Sequence, residues 1–184
     1  MKEGMKIYLI GFLAVLMILS CGCGFVHGLQ RGRIIETWET GNGVFKVRVT
    51  AYEERNIFPS PSGAHYMYES TAIGSENWRQ FMTFRHDDPI PIPREQIRFA
   101  SSQVGYVFVG WMYAVTTDSG SNWSVWNAKE DLLNWQCCNY KLIQDVHLKN
   151  DGIGMMRLNP ITQRRGEVPE LHTVNYGQHW EVKH

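Results

Sequence analysis

Histidines and carboxylates that lie close together are the first residues of this sequence that could carry chemistry. His86, Asp87 and Asp88 follow one another, and His172 and His179 lie on either side of one short turn. Imidazole and carboxylate groups bind metal ions and transfer protons near neutral pH. Neighbours in an extended segment point in different directions, so we interpret His86, Asp87 and Asp88 as a solvated turn before Pro89. His172 and His179 could face each other across their hairpin and bind a metal, but we interpret them as ordinary strand and turn positions. The sequence therefore predicts no metal site.

Two adjacent cysteines, Cys137 and Cys138, are the next candidates. In an oxidising compartment they either form a strained vicinal disulfide or remain two buried thiols, and we favour the thiols. The sequence contains no GxSxG, HExxH, Walker or dinucleotide motif. It also lacks the Cys and His spacing that zinc sites use. We therefore predict no catalytic residue and no cofactor.

A pattern of turn residues occurs twice with the same internal spacing. Its positions are Thr116, Asp118, Gly120 and Trp123 in the first copy and Thr173, Asn175, Gly177 and Trp180 in the second. An Asp or Asn at the start of a hairpin turn accepts hydrogen bonds from backbone N–H groups further on. The glycine supplies a positive φ, and the tryptophan returns the chain to the sheet with a large apolar surface. We therefore interpret all eight residues as structural.

This pattern, Ser/Thr-x-Asp/Asn-x-Gly-x-x-Trp, resembles the Asp-box of sialidase-type (BNR) repeat proteins, which is found in the blades of β-propellers. In families with this box it belongs to the scaffold and lies far from the active site. The resemblance therefore implies that Asp118 braces a turn and does not catalyse a reaction. A third and poorer copy occurs at 72–78, where the glycine is displaced by one position and no Asp is present.

Resemblance to sialidase-type proteins also raises the question of glycan hydrolysis. Four arginines, Arg94, Arg98, Arg164 and Arg165, could form a cluster that binds a carboxylate. Sialidases, however, need a six-bladed ring, an arginine triad and a Tyr/Glu nucleophile pair, and the chain is too short for such a ring. Glycoside hydrolysis also requires two carboxylates in one cleft, and the sequence identifies no such pair. We therefore expect a protein that is not an enzyme, with a glycan-binding or glycan-hydrolysing protein as the alternative.

Turn signals divide the chain after residue 33 into strand-like segments that form three groups of four. The predicted strands are 34–39, 44–53, 65–71 and 79–86, then 97–100, 106–109, 112–117 and 123–127, and finally 142–148, 154–158, 171–174 and 180–183. Each copy of the turn pattern joins the last two strands of its group. A short helical turn is expected within 129–140. The sequence thus predicts an all-β fold of about three four-stranded antiparallel meanders.

Such a fold is propeller-like but too short for a standard closed propeller, which has four or more blades. We expect a compact monomer. A sandwich of packed sheets and a six-sheet ring of two chains are the alternatives.

The N-terminus resembles a bacterial lipoprotein signal. Lys2 and Lys6 precede a long apolar run, which ends at Ser20 and Cys21. We predict a signal peptide with a lipobox at 1–21, a lipidation site at Cys21, a short linker at 22–32 and a single Asp-box β-domain at 33–184. The alternative is an uncleaved membrane anchor, because 7–26 has about the length that a spanning helix needs. Both interpretations place the domain at the cell envelope, on the extracytoplasmic side of the membrane or secreted.

Net charge and aromatic content limit the classes of partner that the protein is expected to bind. The chain has 18 basic and 18 acidic residues and no basic stripe, which argues against nucleic acid. We expect more aromatic residues than three small sheets need for a core, and these are Tyr66, Tyr68, Trp111, Tyr113, Trp126, Trp135 and Tyr140. The irregular segment 125–141 is the candidate contact surface through Trp126, Trp135 and Tyr140, although it could instead cap the core. We expect a binding or assembly module for a protein or glycan partner, with an immunity or inhibitor lipoprotein as a further alternative.

Overall fold

The computed structural model describes residues 31–54, 63–131, 141–160 and 170–182. Its strands form three four-stranded sheets, each of them an antiparallel meander in chain order. Sheet 1 contains β1 Arg31–Gly41, β2 Phe45–Glu54, β3 Ala64–Ala72 and β4 Arg79–His86; sheet 2 contains β5 Ile97–Phe99, β6 Gly105–Val109, β7 Met112–Thr116 and β8 Ser124–Asn127; and sheet 3 contains β9 Lys141–Leu148, β10 Gly154–Pro160, β11 Glu170–Thr173 and β12 Glu181–Val182. A 3-10 helix, Arg94–Gln96, precedes β5, and a short helix α1, Ala128–Asp131, follows β8.

The predicted fold class is confirmed, because every strand expected from the sequence is present and all three sheets remain open. Within the described ranges no helix is long and apolar enough to cross a membrane. The predicted leader and Cys21 lie outside those ranges.

Sheet 2 is the middle layer of the structure. In β2 of sheet 1, buried Phe45, Val47 and Val49 alternate with half-buried residues, as expected for a strand with one covered face. In β6 of sheet 2, every residue from Gly105 to Val109 is buried. Val107 belongs to the core shared with sheet 1, whereas its neighbour Tyr106 belongs to the core shared with sheet 3. Sheet 2 is therefore covered on both faces.

The two tryptophans of the repeated turn pattern lie where consecutive sheets meet. Trp123 of sheet 2 stacks on Phe81 of sheet 1, with ring centroids 3.9 Å apart and planes within 6° of parallel. Trp180 of sheet 3 packs edge-on against Tyr113 of sheet 2 at 5.4 Å. Each indole thus contacts the sheet that precedes its own sheet in the chain.

Trp78 is at the corresponding place in sheet 1, and none of the described sheets precedes sheet 1 in the chain. The guanidinium of Arg48, on the same sheet, lies 4.1 Å from the Trp78 ring centroid. Arg48 in turn forms an ion pair with Glu69 at 2.8 Å, and the Glu69 side chain is only 12% exposed. Sheet 1 therefore covers its outer tryptophan with its own side chains.

The outer face of sheet 3 is charged. The strand register aligns Asp145, Arg157 and Glu170 in one row across the sheet. His147 and His172 belong to the adjacent row on the same face. The described outer face of sheet 3 is therefore polar, as in the terminal units of repeat proteins.

Successive strands run in opposite directions, so the turns fall at two ends of the stack. The end with the β1–β2 and β3–β4 turns and their counterparts is called the turn end. The side-chain amide of Asn42 donates to the carbonyl of Ser101 at 2.8 Å, which joins sheets 1 and 2 at this end. The opposite end, at which β2, β6 and β10 end, is called the open end. There the backbone N–H of Ile143 donates to the carbonyl of Gly110 at 2.7 Å, which joins sheets 2 and 3.

Replacement of Trp78, Trp123 or Trp180 by alanine should lower the free energy of unfolding. The size of the loss should follow how deeply each indole is buried against a neighbouring sheet. Trp180, 4% exposed, should cost about 3–5 kcal/mol in the free energy of unfolding, because its removal leaves a cavity in the core. Replacement of half-buried Trp123 should lower the free energy of unfolding by less, and replacement of Trp78 should lower it least. Urea denaturation measures all three values. An equal cost for Trp78 and Trp180 would contradict the outer position of Trp78.

Candidate functional site

The turn between β7 and β8 is held by side chains of the first pattern. The Asp118 carboxylate accepts hydrogen bonds from the Asn122 backbone N–H at 2.8 Å and from the Thr116 hydroxyl at 2.9 Å. The Thr116 oxygen also accepts the backbone N–H of Gly120 at 3.0 Å. Gly120 has a φ of 82°, a conformation that favours glycine. All of these groups are occupied in closing the turn.

The turn between β11 and β12 has the same bonds. Thr173 donates to the side-chain oxygen of Asn175 at 2.8 Å, and the same oxygen accepts the His179 backbone N–H at 3.1 Å. The Gly177 backbone N–H donates to the Thr173 hydroxyl at 2.9 Å, and Gly177 has a φ of 78°. Asn can replace Asp here because only one acceptor oxygen is needed.

The third, poorer copy joins β3 and β4, the corresponding strands of sheet 1. Its bonds differ from those of the other two turns. The Thr71 hydroxyl donates to the carbonyl of Ser75 at 3.2 Å, and the Ser75 hydroxyl accepts the Asn77 backbone N–H at 3.1 Å. A serine hydroxyl thus takes the place of the carboxylate or amide in the other turns.

Opposing effects act on the pKa of Asp118. Burial would raise this pKa, but the hydrogen bonds from the Asn122 backbone, the Asn122 side chain and the Thr116 hydroxyl outweigh burial and lower it. The carboxylate is therefore stabilised in its ionised form as a hydrogen-bond acceptor.

The three candidate histidines, His86, His172 and His179, each have a polar group nearby. His86 Nδ1 lies 2.7 Å from the Asp88 carbonyl oxygen, so this segment folds into a turn. His172 Nε2 lies 2.7 Å from Glu170 Oε1, and His179 Nε2 lies 3.8 Å from Glu181 Oε1. Across the described part of the chain, no three His, Cys, Asp or Glu side chains come together in a group that could hold a metal ion.

Arg94 and Arg98 form separate ion pairs rather than one cluster. Arg94 binds Glu36 of β1 at 2.8 Å, and this hydrogen bond is the main reason that the pKa of Glu36 is lowered. Arg98 binds Asp145 of β9 at 3.0 Å. The two arginines therefore tie the first strands of sheets 1 and 3 to the segment around β5. Arg164 and Arg165 lie outside the described residues.

Most of the aromatic residues expected at the surface are buried, which corrects that expectation. Tyr66, Tyr68 and Tyr113 are at most 1% exposed, and Trp126 is 8% exposed. Trp126 belongs to the core between sheets 2 and 3, so it is not available as a contact residue. The reason is that sheet 2 has two faces to cover, which requires more aromatic side chains. Trp135, Tyr140, Cys137 and Cys138 lie outside the described residues.

Trp111 is the exception, because it is half-buried and lines a cleft of about 690 Å³ at the open end. It occupies the turn between β6 and β7 and packs against Phe84 of sheet 1, with ring centroids 5.2 Å apart. All three sheets contribute to the cleft. Its polar lining consists of Arg85, His86, Asp87, Gln96, Gln144 and Asn159. An apolar floor with a few converging polar groups is the usual form of a ligand site.

Comparison with known proteins found no matching family model, no matching curated protein and no matching solved structure. The function must therefore be argued from the cleft itself, since a fold alone does not specify an activity.

Substitution of Asp118 should show what its oxygen contributes. Asp118→Ala removes the acceptor and should lower the free energy of unfolding by about 1 kcal/mol, the usual cost of losing a capping side chain. Asp118→Asn keeps one oxygen, as Asn175 does naturally, and should cost less. Equal losses at neutral pH, measured by urea denaturation, would contradict a role for this oxygen.

The wild type and the Asp118→Asn variant should lose stability to different extents at low pH. Because the folded-state pKa of Asp118 is lowered, its ionised form stabilises the fold above the unfolded-state pKa of about 4. This contribution is lost as the pH falls through the lower, folded-state pKa. The wild type should therefore lose more stability than Asp118→Asn between about pH 5 and pH 2, as measured by urea denaturation at each pH.

Proposed function

We propose that this protein is a non-catalytic binding or assembly module of the cell envelope, which holds a protein or glycan partner in the cleft at the open end. The observation that carries the proposal is the position of Trp111, a half-buried indole in a cleft to which all three sheets contribute. Aromatic residues surrounded by polar groups are favoured at recognition surfaces.

Binding is favoured over hydrolysis by the charges in the cleft. Glycoside hydrolysis needs two carboxylates on opposite sides of the bond that is cleaved. Among the described lining residues, Asp87 is the one carboxylate. The neighbouring His86 has its Nδ1 atom engaged by the backbone of Asp88. The lining is suited to holding a ligand and lacks the paired acid and nucleophile.

The repeated turns support the same proposal because they lie at the other end of the sheets. We propose that both turns are Asp-boxes with a scaffold role. Their polar side chains are used within the turns, and Trp123 and Trp180 pack between sheets. The residues of these turns therefore take no part in the cleft at the open end.

The proposed tether enters the domain at the open end, where β1 begins. A lipid on Cys21 would be ten residues before Arg31, which spans at most about 35 Å when extended. The cleft would then lie near the envelope surface, within reach of partners anchored there. An uncleaved membrane anchor would give the same arrangement.

Site-specific photo-crosslinking in the native envelope tests the location of the site. A benzoylphenylalanine in place of Gln144, in the cleft, should capture the partner. The same residue in place of Ser121, exposed at the turn end, is the matched control and should not. Equal capture of one partner from both positions would argue against the cleft.

Cell fractionation tests the tether. The wild type should incorporate labelled palmitate and Cys21→Ser should not, whichever fraction the variant enters. If the wild type itself incorporates no palmitate and stays in the membrane fraction, the N-terminus is an uncleaved anchor and the lipidation proposal is wrong.

A further inference from the structure

Gln96 has a buried side-chain oxygen to which no described group donates a hydrogen bond. Its backbone N–H is satisfied by the Pro93 carbonyl at 3.0 Å, so only the side chain is unpaired. Two other buried polar atoms lack partners in the described part of the chain, the Tyr68 hydroxyl and the Trp180 indole N–H, and both residues belong to the cores. Gln96 differs from them because it lines the open-end cleft.

An unpaired buried acceptor destabilises the folded protein. A ligand in the cleft could remove this penalty if it offered an O–H or N–H group to Gln96. Two further carboxamide residues, Gln144 and Asn159, line the same cleft. Carboxamides donate and accept at once, so together they suit a ligand that has many hydroxyl or amide groups.

The charges of the cleft disfavour an anionic ligand. Arg85 is already paired with Glu54 through two nitrogens, each 2.9 Å from the same carboxylate oxygen. Asp87 is the one carboxylate that lines the cleft among the described residues, so with Arg85 paired the described lining keeps a negative charge. An anionic ligand would be repelled by Asp87 and would find no free arginine in the described lining.

A peptide strand is poorly suited to this cleft. Strand addition requires free backbone groups along a sheet edge. The edge of β9 that faces the cleft is occupied there, because Ile143 donates its backbone N–H to the Gly110 carbonyl. The cleft instead offers half-buried Trp111, backed by buried Phe84, as an apolar surface on which the C–H face of a sugar ring can rest.

We infer that the cleft binds an uncharged saccharide whose hydroxyl or acetamido N–H groups donate to Gln96 while one sugar face packs on Trp111. This inference rests on the proposed binding function and names its ligand class.

Calorimetric titration of the full-length protein with tetra-N-acetylchitotetraose tests the inference. Tetragalacturonate, which has the same number of rings but carries carboxylates, is the control ligand. The neutral tetrasaccharide should bind and the anionic one should bind at least tenfold more weakly. Equal binding of both, or no binding of the neutral one, would overturn the inference.

Gln96→Leu should weaken binding of the neutral tetrasaccharide roughly three- to tenfold, the usual effect of one lost hydrogen bond. It should leave Tm unchanged or raise it, because the unpaired buried acceptor is gone. Gln103→Leu, at an exposed carboxamide of the turn end, is the matched control and should leave binding unchanged. A lower Tm with unchanged binding would show that Gln96 has only a structural role.

The two proposals can fail separately. If crosslinking from Gln144 captures a protein and the tetrasaccharide does not bind, the binding function stands and the saccharide inference is wrong. If neither experiment detects a ligand in the cleft, both are wrong.

Discussion

The packing of each turn tryptophan against the preceding sheet is the interaction on which the rest of the structure depends. An indole that buries roughly 150–250 Å² contributes about 4–6 kcal/mol at 25 cal/mol per Å². Each hydrogen bond of the turn contributes only about 1 kcal/mol. The bonds around Asp118 and Asn175 therefore matter mainly because they fix where the next indole enters the sheet. Trp123 and Trp180 then join the three four-stranded sheets into one stack.

The same interaction has a different form on the outer face of sheet 1. In sheet 1 the equivalent indole, Trp78, packs on Arg48 of its own sheet, and Glu69 compensates the charge of this arginine. At the other end, the outer face of sheet 3 carries alternating charges. A fourth sheet would have to desolvate these groups, which costs more than a polar surface can return. The two outer faces of the three described sheets therefore carry charged side chains, and the sheets remain open.

The fold could be predicted because its strands and turns are determined by residues that are close together in the sequence. Alternation in β2 and the Asp, Gly and Trp of the turns fix strands and turns without reference to distant residues. The burial of Tyr66 and Tyr113 could not be predicted, because it depends on sheet 2 being covered twice. The sequence did not predict the cleft, because its lining also depends on how the three sheets pack together. Gln96, Gln144 and Asn159 come from distant segments and follow no motif, and Trp111 was indistinguishable in sequence from the core aromatics.

Stability and the proposed binding site are separated along the strand direction. The turn end contains the side-chain bonds that fix the turn tryptophans, and there the polar groups of Asp118 and Asn175 are satisfied. The open end contains a buried acceptor on Gln96 that no described group satisfies. A chain of marginal stability can carry such a group only if other interactions offset it, and the tryptophan contacts supply several times the energy of one missing hydrogen bond. The braced turns thus offset the cost of a polar group at the opposite end that, in our proposal, a ligand completes.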